Sequence, residues 1–241
     1  MLCSVNISHA LMALTLAVVL GLPLCPAVPV RHRAKASDAD VKLLIDQLST
    51  GNRAMAKTRL LEIGAKAAPQ LISRLRDLTK FVEEPLVVDA AKSKTFDHYN
   101  DPEVRRRYAA WDTMEDCIEL LGDLKSEEAV PSIIKVLEIR MESGREPKLL
   151  DEILALKEIG APAVPALIDA LARAPETARK RKLAYYPGEW LIQARMAFAL
   201  AEIGDPRAIP ALDNLIKIEP TFSRGFVADA IAKMEFKQQS R

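Results

Sequence analysis

The chain has 241 residues, a formal net charge of +1, and 49% apolar but only 5% aromatic residues. Length allows one or two domains, and the balanced charge excludes a global basic or acidic field of the kind that draws a chain to nucleic acid or to a membrane surface. Abundant Ala and Leu with few aromatics suit helix pairs packed by small and branched aliphatic side chains.

Residues 1–30 contain no Lys, Arg, Asp or Glu, and Ala10 to Leu24 is an apolar run. Its length fits a signal-peptide core and falls short of the roughly 20 residues of a comfortable membrane span. A small-residue cleavage site follows Ala27, with Ala34-Lys35-Ala36 as a second choice. The basic residues Arg31, Arg33 and Lys35 follow the run instead of preceding it, which leaves an uncleaved anchor over residues 10–30 as the alternative. The expectation is export, periplasmic or extracellular, with residues 1–27 removed, 28–39 a linker and 40–236 the folded domain. Residues 237–241 form a tail.

The folded part begins with Ser37-Asp38-Ala39-Asp40 as helix caps and an apolar stripe, Val41, Leu44, Ile45 and Leu48. A helical pattern then recurs. Ala68, Leu71, Ile72 and Leu75 surround Pro69; Val130, Ile133, Ile134 and Leu137 surround Pro131; Val164, Leu167, Ile168 and Leu171 surround Pro165; Ile209, Leu212 and Leu215 surround Pro210. A proline in the first turn lacks an N–H that would have no partner there anyway. The helices before these end on Ile63-Gly64, Ile159-Gly160 and Ile203-Gly204, with Lys125 at the matching place in the second copy. Leu149, Leu150, Ile153, Leu154 and Leu156 are read as one apolar face of the helix before Gly160. A partial fifth copy, Phe226 to Met234, closes the chain. A single helix pair cannot bury both its faces, so repetition predicts a stack of such pairs, with repeats near 41–78, 101–140, 146–173 and 187–217 and a terminal helix over 220–236.

Ile203-Gly204-Asp205-Pro206-Arg207-Ala208-Ile209-Pro210-Ala211-Leu212 resembles HEAT repeats, in particular the short HEAT-like repeats of phycobilisome lyases, and Asp101-Pro102-Glu103-Val104-Arg105 resembles the start of such a repeat. The resemblance covers about residues 40–235. It implies an all-α, right-handed α-solenoid of the armadillo type that binds another protein along its concave face, without a cofactor or small-molecule substrate. Two alternatives share the fold: a bilin-lyase-like chromophore-handling protein, and nucleic-acid binding like that of HEAT-like DNA glycosylases. The apolar leader speaks against both and the neutral charge against the second, and membrane contact is expected only through an uncleaved N-terminus.

Two stretches break the rhythm and are expected to loop out near 78–101 and 173–190. In the first, Asp97, His98 and Asp101 lack the further His or Cys a metal site would want, so the cluster reads as a polar loop with Asp101 as a helix cap. The second combines Arg179, Lys180, Arg181 and Lys182 with Tyr185, Tyr186 and Trp190. Aromatic and guanidinium side chains are favoured at binding hot spots, so Arg179, Arg181, Tyr185, Tyr186 and Trp190 are the candidate partner contacts. The chain has no Gly-rich phosphate loop, no Cys-x-x-Cys and no His-Glu-x-x-His, so no catalytic, cofactor or metal residue is assigned. Glu83-Glu84 and Glu127-Glu128 are read as acids at turns or helix starts. Cys117 and Trp111 are read as core.

Overall fold

A computed structural model describes residues 36–84, 101–139, 151–180, 188–218 and 221–240. Within these, the side chains of 175–180, 188–192, 218, 221–224 and 226 are not described. The helices all fall in the unit Ser37–Arg241. They are α1 (Asp38–Gln47), α2 (Arg53–Ile63), α3 (Ala68–Glu83), α4 (Pro102–Asp123), α5 (Val130–Ile139), α6 (Asp151–Ile159), α7 (Val164–Lys180), α8 (Gly188–Ile203), α9 (Ile209–Ile218) and α10 (Thr221–Gln239). No strand occurs among the described residues.

The helices form two rows. In the first, α2 packs on α4, α4 on α6, α6 on α8 and α8 on α10. In the second, α1 packs on α3, α3 on α5 and α5 on α7, and the Pro206–Ala208 turn leading into α9 rests on α7. The rows are joined by α1 on α2, α3 on α4, α5 on α6, α7 on α8 and α9 on α10. Among the described residues this is an all-α, HEAT-like stack in which each pair packs on its neighbours, and one apolar core runs through it from Val41 to Met234.

The repeated proline sets the register of the second row. The residue two positions after it, Leu71, Ile133, Leu167 or Leu212, has no exposed surface in any of the four copies. Each such burial contributes about 1.5–3 kcal/mol relative to an exposed side chain. At the other end of the chain's fold, Ser37 caps α1 through a reciprocal pair of bonds: its hydroxyl accepts from the Asp40 N–H, and Asp40 accepts from the Ser37 N–H at 2.8 Å. Those bonds hold the Asp40 carboxyl below the usual carboxylate range.

The joints between first-row and second-row helices come in two kinds. Gly64 (φ 75°, ψ −150°) and Gly160 (φ 79°, ψ −139°) lie five residues before their proline and adopt backbone angles near a region open to glycine alone. At Lys125 (φ 50°) and Gly204 (φ 71°) the proline comes six residues later, and an extended residue, Ser126 or Asp205, follows the positive φ. Lys125 closes α4 with a pair of bonds, its own N–H to the Gly122 carbonyl at 2.8 Å and the Ser126 N–H to the Leu121 carbonyl at 3.0 Å. A left-handed lysine is tolerated there because the extra residue lets the following chain extend.

Three expectations need correction. The interruption near 78–101 does not start at 78, because α3 runs to Glu83. Nor does the second start at 173: α7 continues through Pro175 to Lys180, and α8 starts at Gly188. Glu83 and Glu84 sit at the C-terminal end of α3, not at a helix start. The helix dipole disfavours acids there. Arg107 offsets this by donating to the carbonyls of Val82 (3.1 Å) and Glu84 (2.6 Å), while Lys135 pairs with Glu83 at 2.6 Å.

Candidate functional site in the clefts between neighbouring helices

Most charged side chains whose partners are seen join one helix pair to the next. Asp116 of α4 is fully buried, yet it faces Arg53 of α2, whose Nη2 donates to Oδ1 at 2.7 Å and whose Nε lies 2.5 Å from Oδ2. Lys57 Nζ stands 3.4 Å from the same carboxylate and also pairs with Glu119. The Asp116 carboxylate holds the Arg53 guanidinium above its ordinary pKa. Further along the first row, Glu202 of α8 takes Lys157 of α6 at 2.9 Å and Lys233 of α10 at 3.6 Å. The hydrogen bond from Lys157 is the main reason its carboxyl sits below the ordinary value. Arg76 donates to Ser132 at 3.1 Å in the second row, and Arg207 reaches the Ala161 carbonyl of the preceding joint at 3.1 Å. These groups are occupied in assembly.

The thiol is occupied in packing. Cys117 has no exposed surface, and burial pushes its pKa up to about 12, with the neighbouring Asp116 adding to the rise and Arg74 opposing it. A thiol in that setting is a poor nucleophile. Trp111 is likewise core, 5% exposed. Asp101 caps α4, accepting from the Glu103 N–H at 2.8 Å; Asp97 and His98 lie outside the described residues.

Among the described residues, open clefts include the following two. One, of about 310 Å³, lies between the end of α1, α3 and α4, lined by Ser49, Arg74, Asp77, Phe81, Arg106 and Thr113 among others. Arg106 and Arg107 stack over the Phe81 ring at 5.4 and 5.5 Å, which turns their charge toward the aromatic face. Arg74 Nε is buried there without a hydrogen-bond partner. The other cleft, of about 330 Å³, lies between α4 and α6 and is lined by Glu119, Gly122, Asp123, Asp151, Leu154, Ala155 and Glu158. Here the structure corrects the sequence reading of α6. Leu154 does not belong to the buried face with Ile153 and Leu156; it is 47% exposed and opens into this cleft. Leu149 and Leu150 lie outside the described residues.

The contact residues expected from sequence fall largely outside the described residues. Arg181, Tyr185 and Tyr186 do so entirely, while Arg179 is placed on α7 and Trp190 on α8 by backbone alone. Sequence reading missed the cleft residues Asp123, Asp151, Leu154 and Glu158. A faint signal existed: Asp151 and Glu158 flank Leu154 within one short helix, but their counterparts on α4 are about 30 residues away and only packing makes them neighbours.

No curated protein matches the chain. Residues 192–217 match the model of the PBS lyase HEAT-like repeat, a match spanning most of α8, the Pro206–Ala208 turn and α9, and with the stacked pairs before it this makes the chain consistent with a HEAT-repeat family.

Proposed function

We propose that the chain is a non-enzymatic HEAT-like scaffold that binds another protein and is exported from the cytoplasm. The observation behind the binding role is the division of labour among side chains. Asp116, Glu202, Arg53, Lys157 and Arg207 are used to join neighbouring helices, whereas large apolar side chains on several first-row helices, Met55, Leu154 and Phe198, remain exposed, Leu154 beside the open cleft between α4 and α6. Exposed apolar groups next to grooves mark interaction surfaces. The buried, high-pKa thiol removes the one cysteine of the described residues from nucleophilic chemistry. Arg179, Arg181, Tyr185, Tyr186 and Trp190 are proposed as additional contacts, on their residue types. Export rests on the uncharged leader and its apolar run, Ala10 to Leu24. Among the described residues no helix is long and apolar enough to cross a membrane.

The alternative of lyase-like chromophore handling has the repeat type behind it and nothing at either cleft. The test is light scattering on tagged full-length chain recovered from its native host at low salt. A mass exceeding the chain by that of a co-purifying protein is expected. A monomer free of protein, or one carrying a pigment or nucleic acid instead, would contradict the reading.

A further inference from the structure

We infer that the cleft between α4 and α6 is a docking groove for a basic segment of a partner protein, with one apolar side chain seated on Leu154 and flanking Lys or Arg side chains paired with the rim. The inference rests on the scaffold reading above and gives it a site and a partner chemistry.

Three observations carry it. The floor is apolar: Gly122 and Ala155 bring the two helices close, and Leu154 stands over them 47% exposed in a helix whose other large apolar side chains, Ile153, Leu156 and Ile159, are buried. The rim is acidic: Glu119 and Asp123 lie one turn apart on α4, and Asp151 and Glu158 flank Leu154 on α6. Lys57 meets Glu119, but Asp123, Asp151 and Glu158 have no ion pair among the described residues. Asp116, Glu202 and Glu83, by contrast, are each held by a cation. Asp123, Asp151 and Glu158 together make the rim acidic, which complements a cationic partner while repelling phosphate backbones and anionic lipid. The third observation is spacing. Among the described residues no three His, Cys, Asp or Glu side chains come close enough together to hold a metal ion. Charge spread along a groove this way suits several side-chain cations on one chain, and the apolar floor between them suits an apolar anchor.

The test is selection of phage-displayed random linear peptides on immobilised full-length chain, in parallel with the Asp123→Asn, Asp151→Asn, Glu158→Gln triple variant. Asp151 lies in the first turn of α6, so melting of the variant is followed alongside. The expected result is enrichment of sequences with Lys or Arg on both sides of a large apolar residue, on the wild-type chain only. A synthetic peptide of that sequence should bind at least tenfold more weakly to the triple variant and to Leu154→Ser, at unchanged melting temperature, and weaken as salt rises. No enrichment, enrichment of peptides without basic residues, or equal binding to the variant would overturn the inference. A protein complex in the light-scattering measurement that survives the triple substitution would remove the groove and leave the scaffold; a bare wild-type monomer would remove the scaffold itself.

Discussion

Gly122 of α4 lies so close to Ala155 of α6 that a Cβ at position 122 would sit 2.6 Å from the Ala155 Cα and 2.8 Å from its Cβ. No real Cβ packs at that distance, and the obstacle is backbone, which cannot rotate away. Gly122→Ala must therefore push α4 and α6 apart. The expected cost is about 1–3 kcal/mol, the range for overpacking a tight core. Urea unfolding of the variant measures it; an unchanged midpoint would contradict this helix spacing.

The buried Asp116 makes a second prediction. Arg53→Ala leaves its carboxylate facing only Lys57, at 3.4 Å. Breaking a fully buried pair by removing one partner costs about 3–5 kcal/mol; Arg53 is 46% exposed, so solvent screening and the remaining lysine should hold the loss below that range. Replacing both together, Arg53→Met with Asp116→Leu, should recover much of it, because no buried charge is then left alone. Thermal unfolding of the single and double variants checks this.

The joints differ in what they tolerate. Gly160→Val should cost roughly 1–3 kcal/mol through backbone strain, since the nearest atom to an added Cβ is the Lys157 carbonyl oxygen at an ordinary 3.8 Å. Lys125→Gly should be neutral or stabilising by up to about 1 kcal/mol, because glycine enters the left-handed region without penalty. Strong destabilisation by Lys125→Gly would mean that the lysine side chain has a structural role of its own.

Stability should also depend on pH through Glu202. Its carboxyl titrates below the ordinary 4.5 in the folded chain, mainly because Lys157 hydrogen-bonds it. A depressed folded value means the unfolded chain takes up the proton first as pH falls. The contribution is complete above the unfolded value and is lost as pH drops from about 4.5 through the lower folded value. Glu202→Gln should therefore lower the melting temperature at neutral pH and converge with the unsubstituted chain in acid, which flattens the acid side of the profile.

The proposed contacts at Tyr185 and Tyr186 are tested by replacing both with Ala. Weaker recovery of a co-purifying protein at unchanged melting temperature is expected. A large fall in melting temperature instead would place these rings in the core.

The second-row helices were legible in the sequence because two local signals coincide there: a proline in the first turn and an apolar stripe at helical spacing, and the buried set Leu71, Ile133, Leu167 and Leu212 follows from them. The joints were legible for a similar reason, a glycine five or six residues before proline in three of the four copies, with Lys125 in the other. What could not be read was decided by neighbours distant in the chain. Asp116 sits in a helix flanked by Met114, Cys117 and Ile118, and nothing local marks it as a buried anion; Arg53, 63 residues earlier, makes it so. Leu154 fits an apolar stripe as well as Leu156 does, and the separation of α4 from α6, set by Gly122 and Ala155, leaves it uncovered. The cleft left only a faint signal, Asp151 and Glu158 about Leu154, because its two acidic sides come from different repeats.

Photo-cross-linking tests most directly the claim that this stack binds a protein. Benzoylphenylalanine is introduced singly at Leu154, and at the more exposed Leu43 on α1 as a control, in the full-length chain within its native host. A discrete heavier species of chain plus one protein, formed from position 154 and not from position 43, is predicted. Absence of any protein adduct from position 154, or the same adducts from both positions, would contradict it.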